Sequence, residues 1–115
     1  MPTPREDLLA RVKVAVRRTD TTAYDTELSD LISACLKDLS IVGIDSSDLT
    51  DALIIRAVCT FCRFNFGSIE SDEYEHLKAS YDEQKAQLQM ASAYTNYDLY
   101  GITSFEDELE VSTDV

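Results

Sequence analysis

The chain has 115 residues, 28% of them charged, and a formal net charge of −12. That length suits one domain with a modest core. So acidic a chain does not hold nucleic acid by phosphate attraction, which needs basic patches. No apolar run is long enough to span a bilayer, and the opening residues MPTPREDLLARVKV lack the continuous apolar stretch of a secretory signal. With three cysteines, an odd number, the expectation is a soluble protein of a reducing, intracellular compartment.

The first helix is predicted from Pro4 to Arg18. Thr3-Pro4-Arg5-Glu6 combines a capping box with proline at the first helical position. Leu8, Leu9, Val12, Ala15 and Val16 form its apolar stripe, and Arg17 and Arg18 sit where cations complement the helix dipole. A break follows at residues 18–22, with Asp20 or Thr22 available to cap the next helix. That second helix, about Ala23 to Leu39, has the clearest period in the chain: Leu28, Leu31, Ile32, Cys35, Leu36 and Leu39 share one face. The connection Ser40–Ser47 carries Ile41, Val42 and Ile44, three branched residues expected to pack down. Gly43 can supply a positive φ there.

The third helix is predicted to start near Asp48, capped by Ser47 or Asp48, and to stop at Gly67. Its segment LIIRAVCTFCRFNFG is apolar over roughly two-thirds of its circumference, against the stripe of about 100° that a surface helix needs. Only Arg56, Thr60 and Arg63 make a polar strip. Such a helix is either the centre of a bundle or shared with another subunit. The expected core joins Val58, Phe61 and Cys62 to Leu28, Leu31, Ile32 and Cys35. A fourth helix, Ser71 to about Ala91, has a narrow apolar stripe (Tyr74, Leu77, Tyr81, Leu88) and belongs on the outside. The expected class is all-α: a small four-helix bundle over residues 1–91, followed by an extended acidic tail over residues 92–115.

Charge is unevenly placed. Residues 1–18 hold five of the ten basic residues (Arg5, Arg11, Lys13, Arg17, Arg18), and no Lys or Arg follows Lys85. A basic front and an acidic back suit head-to-tail contacts between copies or with a partner; solubility is the competing use of the charge. The tail mixes Tyr94, Tyr97, Tyr100 and Phe105 with Glu106, Asp107, Glu108 and Glu110. Disordered segments are usually poor in aromatics, so this one reads as an arm that orders on a partner surface, for which helix 1 of an adjacent copy is a candidate. Arg11, Arg17, Arg18, Arg56 and Arg63 are the candidate residues for contact between copies.

Catalytic signals are weak. Cys59-x-x-Cys62 lies deep inside an apolar helix rather than at a helix start, where a redox pair would have its thiol activated. Adding Cys35 and His76 would complete a Cys₃His zinc set, but one pair with two scattered ligands is little support beside the common buried cysteine. His76 lies on a polar face, the acids of helix 4 lack EF-hand spacing, and no phosphate loop or nucleophile elbow is present. Neither an enzyme nor a cofactor is expected.

Three segments, LLARVKVAVRRTDTTAYDTELSDLISACLKDLSIVGI, DALIIRAVCTFCRFNFG and EYEHLKASYDEQKAQLQMAS, occur in an order and spacing that resemble the small phage head–tail connector proteins, also called adaptor or DNA-packaging proteins. The resemblance rests on Thr22–Ala34, the turn Asp38–Ile44, the helix Leu53–Gly67 and the helix Ser80–Leu88, and covers about residues 8 to 90. It implies an all-α protein of the virion's head–tail interface that assembles in the host cytoplasm. It also implies a ring, expected at about twelve copies, closed through unlike patches. The partners it implies are the portal and a tail-side stopper or tail-completion protein. DNA would pass through the channel without being gripped, since acidic walls repel phosphate. The rival readings are a small acidic regulatory or DNA-mimic binding protein and, more distantly, a subunit of the packaging enzyme.

Overall fold

A computed structural model describes residues 1–91, 94 and 95. Four helices follow one another: α1 (Pro4–Val16), α2 (Asp25–Ile41), α3 (Ala52–Asn65) and α4 (Ser71–Met90). The all-α four-helix architecture is the one the sequence predicts. Among the described residues the only ladder contact is a single antiparallel bridge between Ile44 and Thr95.

α1 begins as its capping box dictates. The Thr3 hydroxyl accepts from the Glu6 amide at 3.1 Å, and the Glu6 carboxylate accepts from the Thr3 amide at 2.7 Å. Two donors that the first turn leaves unpaired are thereby satisfied. The helix ends earlier than its sequence suggests. Arg17 turns left-handed (φ 62°, ψ 48°), and the Arg18 amide closes onto the Lys13 carbonyl at 2.9 Å.

α2 starts at Asp25, later than the predicted Ala23, and neither Asp20 nor Thr22 caps it. Tyr24 stands at the cap position without a side-chain bond to the helix. The Lys13 ammonium lies 2.9 Å from the Asp25 carboxylate and ties this end to α1. Further along, Arg5 donates to the Ser29 carbonyl at 2.8 Å and to the Ser33 hydroxyl at 2.9 Å, a second clamp between the two helices. The far end of α2 runs on to Ile41, which leaves that side chain 71% exposed instead of packed down. Val42 is half-buried, and Ile44 alone of the three is buried. Gly43 has the expected positive φ, 85°.

α3 is the centre of the molecule: each of the other three helices packs against it. Its cap is Asp51, not Ser47 or Asp48. The Asp51 carboxylate accepts from the amides of Leu53 and Ile54 at 2.9 and 3.3 Å. The Asp48 carboxylate instead closes a local turn on Thr50. Gly67, at φ 70°, follows the last turn and lets the chain reverse into α4. Ile54, Ala57, Val58, Cys62 and Phe64 are buried, so most of the apolar excess goes into the chain's own core.

Three expectations about the core need correction. Thr60 is buried rather than part of a polar strip, because its hydroxyl donates back to the Arg56 carbonyl at 3.0 Å and needs no water. Phe61 and Leu31 are half-buried. Phe61 lies where α2 and α4 diverge, edge-on to Tyr81 with 5.3 Å between ring centres. The rest of the core is as expected: Leu28, Ile32, Cys35, Val58 and Cys62 are fully buried, together with Leu8, Val12, Leu39 and Ile54.

α4 buries only Leu77, Tyr81 and Leu88 and leaves its polar majority in water. It is the outer helix its composition suggests.

Candidate functional site

An open cleft of about 690 Å³ lies between the end of α1, one side of α3 and the α3–α4 connection. Arg17, Arg18, Arg56 and Arg63 all line it, opposed by the single carboxylate of Glu73; Val14, Phe66 and Ile69 supply apolar wall. The helix period explains the convergence. Arg56 and Arg63 are seven residues apart and therefore on one side of α3. The last turn of α1 lies beside that face and adds Arg17 and Arg18.

Each guanidinium is held differently. Arg18 lies over the rings of Tyr24 and Phe66, 5.5 and 5.7 Å from their centres, and these rings meet edge to face at 5.4 Å. Arg56 donates to the neutral Gln87 amide oxygen at 3.0 Å. Arg63 approaches Glu73 at 3.9 Å, with both side chains about half exposed. The Arg17 side chain has no partner among the described residues, and its backbone is the one non-glycine residue among them with a positive φ.

Arg11, the fifth arginine in the expected contact set, is exposed on α1 and does not line the cleft. Its charge acts instead on Cys59. Burial raises that thiol, and the charges of Arg11 and Arg63 only partly offset the rise.

A second, shallower groove of about 520 Å³ separates α2 from α4. Ile41, Phe61, Phe64 and Tyr74 line it, with Lys37, Lys78 and Lys85 at its edges. Its floor holds a polar cluster that residue spacing does not reveal. The Tyr81 hydroxyl donates to Asp38 at 2.6 Å, the Lys85 ammonium donates to the same oxygen at 3.0 Å, and the Cys35 sulfur lies 3.7 Å from the Tyr81 hydroxyl. Burial by itself would raise the Asp38 carboxyl. The bonds from Tyr81 and Lys85, with the charges of Lys85 and Lys78, outweigh it and hold the group below the usual carboxylate range. Burial, then the bond to Asp38, keeps the Tyr81 phenol protonated far into alkali.

The cysteines are all free. Burial pushes Cys35 and Cys62 up to about 12, so neither offers a thiolate near neutrality. Among the described residues no group of three or more His, Cys, Asp or Glu side chains stands close enough to hold a metal ion, and none of the helices is long and apolar enough to cross a membrane.

Of the candidate arm residues, Tyr94 is half-buried against the chain's own core. Its hydroxyl donates to the Asp51 carboxylate at 3.0 Å, and its carbonyl accepts from the Asp45 amide at 2.6 Å. The bond to Asp51 comes first among the causes that raise its phenol. Tyr94 thus braces the residue that caps α3. Tyr97, Tyr100, Phe105, Glu106, Asp107, Glu108 and Glu110 lie outside the described residues.

A helical domain with an arginine cleft, a shallow aromatic groove and protonated thiols belongs to the class of small structural and interaction domains. Within that class the sequence model of one family, described as phage connector protein, matches residues 8–95. The match spans most of the chain, from the second turn of α1 through the whole of α2, α3 and α4, and the chain belongs to that family, whose role is a structural one in the virion. No curated protein and no solved structure matches it.

Proposed function

We propose that this chain is a ring-forming head–tail connector. It docks on the portal of a tailed phage, extends the DNA channel and offers a platform to a tail-side stopper or tail-completion protein. The observation that carries this reading is the family match over residues 8–95. The physical character of the surface supports it. A chain at −12 repels the phosphates of passing DNA, and an arginine-lined cleft on so acidic a body is an unlike patch of the kind that closes rings. The apolar surplus of α3 is a weaker support than its sequence suggests, because α3 spends most of it on the chain's own core. On this reading the protein performs no catalysis, takes no cofactor and assembles in the host cytoplasm before it is built into the virion.

Negative-stain imaging of the purified protein, alone and mixed with its portal, tests the proposal. Rings of about a dozen copies, or a collar added to the portal, are the expected result. A monomer at high concentration that leaves the portal unchanged would overturn it.

A further inference from the structure

Four of the chain's six arginines surround one cleft that holds a single carboxylate. We propose that this cleft receives the acidic segment Glu106–Glu110 of an adjacent copy and so clasps neighbours head to tail. The inference rests on the connector reading for its adjacent copy and goes beyond it in naming receptor and occupant.

Three of the four arginines are not consumed within the fold; Arg18 is held over Tyr24 and Phe66 but stays without a carboxylate partner. Arg17 has no side-chain partner among the described residues, Arg56 meets only a neutral amide, and the Arg63–Glu73 approach is long and solvent-exposed. Exposed pairs of that kind contribute little. Compensation of helix dipoles does not account for them either. α1 and α3 both end at the cleft, and a cation near each end is favourable there. Arg56, however, lies in the second turn of α3, far from its C-terminal end, and faces the same space.

The occupant is argued from charge and reach. No Lys or Arg follows Lys85, while Glu106, Asp107, Glu108 and Glu110 put four carboxylates in five residues, matching four guanidinium groups. Phe105 precedes them, and the cleft offers Val14, 64% exposed, with Phe66 and Ile69 as apolar wall. The described fold ends at Thr95, bridged to Ile44 beside the start of α3. Arg63 and the wall from Phe66 to Ile69 lie at the other end of that helix, which is about 21 Å long at 1.5 Å per residue. The reach admits the chain's own cleft as well as a neighbour's; the connector reading, in which copies meet through unlike patches, selects the neighbour's. Glu106 follows Thr95 by 11 residues, which span at most about 36–40 Å, enough to cross to an adjoining copy.

The test pairs two full-length variants. One reverses the cleft (Arg56→Glu with Arg63→Glu) and the other reverses the segment (Glu106→Lys with Glu108→Lys). Each alone should self-associate at least about tenfold more weakly in low salt, with circular dichroism confirming an intact fold. An equal mixture should recover association, because each variant then supplies the complement of the other. A mixture as weak as its components overturns the proposal; so does recovery only when both changes sit in one chain, which means the segment closes on its own cleft. If the reversed cleft does not fold, Arg56→Gln with Arg63→Gln replaces it and should show the same weakening on its own.

A labelled peptide of residues 104–115 separates this inference from the connector reading. It is titrated into full-length chain carrying Glu106→Gln, Asp107→Asn, Glu108→Gln and Glu110→Gln. Binding should fade with salt and fall tenfold or more once Arg56 and Arg63 are also neutralised. Peptide binding without rings would sink the connector and leave the cleft's occupant standing. Rings without peptide binding would do the reverse.

Discussion

Two residues show how local chemistry constrains this molecule. Arg17 sits in a left-handed conformation that costs a residue with a Cβ roughly 1 kcal/mol relative to glycine. Arg17→Gly should therefore raise stability by up to about 1 kcal/mol in urea unfolding, while weakening binding of the acidic peptide. A loss of stability would mean that the guanidinium supports the fold, and unchanged peptide binding would remove Arg17 from the cleft's work. Asp38 shows the other side of residue chemistry. Its carboxyl is held below the ordinary range in the fold, so its contribution to stability is present above the unfolded value near 3.9 and is lost as pH falls through the folded one. Asp38→Asn should be less stable than the unaltered chain at pH 7, with the gap closing toward pH 3. A gap independent of pH would show that the ionised form is not the one the cluster stabilises. Tyr81→Phe removes one buried donor to that carboxylate and should cost about 1–2 kcal/mol at neutral pH.

At the scale of elements, what the sequence displays is period and capping, and what it hides is where helices diverge. The Thr3–Glu6 box, the Gly67 stop and the buried face of α2 are each legible, because each is set by residues within a turn or two of one another. The cap of α3 is not legible because Ser47, Asp48 and Asp51 are all competent; in the fold Asp51 takes it and also accepts from Tyr94, 43 residues away. The half-burial of Phe61 is illegible for a related reason. Periodicity gives a helix its apolar face but not the width of the gap between its neighbours, and α2 and α4 leave Phe61 at the edge of a groove. Of the cleft, the shared side of Arg56 and Arg63 is readable from a spacing of seven; its closure by Arg17 and Arg18 needs the packing of α1. Phe61→Ala should accordingly cost about 1–3 kcal/mol, below the 3–5 kcal/mol typical of a fully buried phenylalanine and below Leu28→Ala in the same chain. A larger loss than Leu28→Ala in denaturant titrations would put Phe61 back in the core.

For the whole molecule the governing fact is the separation of a folded, arginine-bearing body from a cation-free acidic end. The family match runs to residue 95 and includes Thr95, which bridges Ile44, and Tyr94, which braces the cap of the central helix. Tyr94 and Thr95 thus pack with the body, beside the start of α3. Two truncations measure this. A chain ending at Thr95 keeps the bridge, the hydrogen bonds of Tyr94 to Asp45 and Asp51 and its contact with the core, and should melt within a degree or two of the full chain. A chain ending at Ala93 loses all of these, leaves the Asp51 carboxylate without its phenol, and should melt lower by several degrees. Both lack Glu106–Glu110, so both should lose the salt-sensitive part of self-association equally. Equal melting of the two truncations would place Tyr94 with the arm rather than the body. Full association by the longer one would show that the acidic end does not hold the copies together.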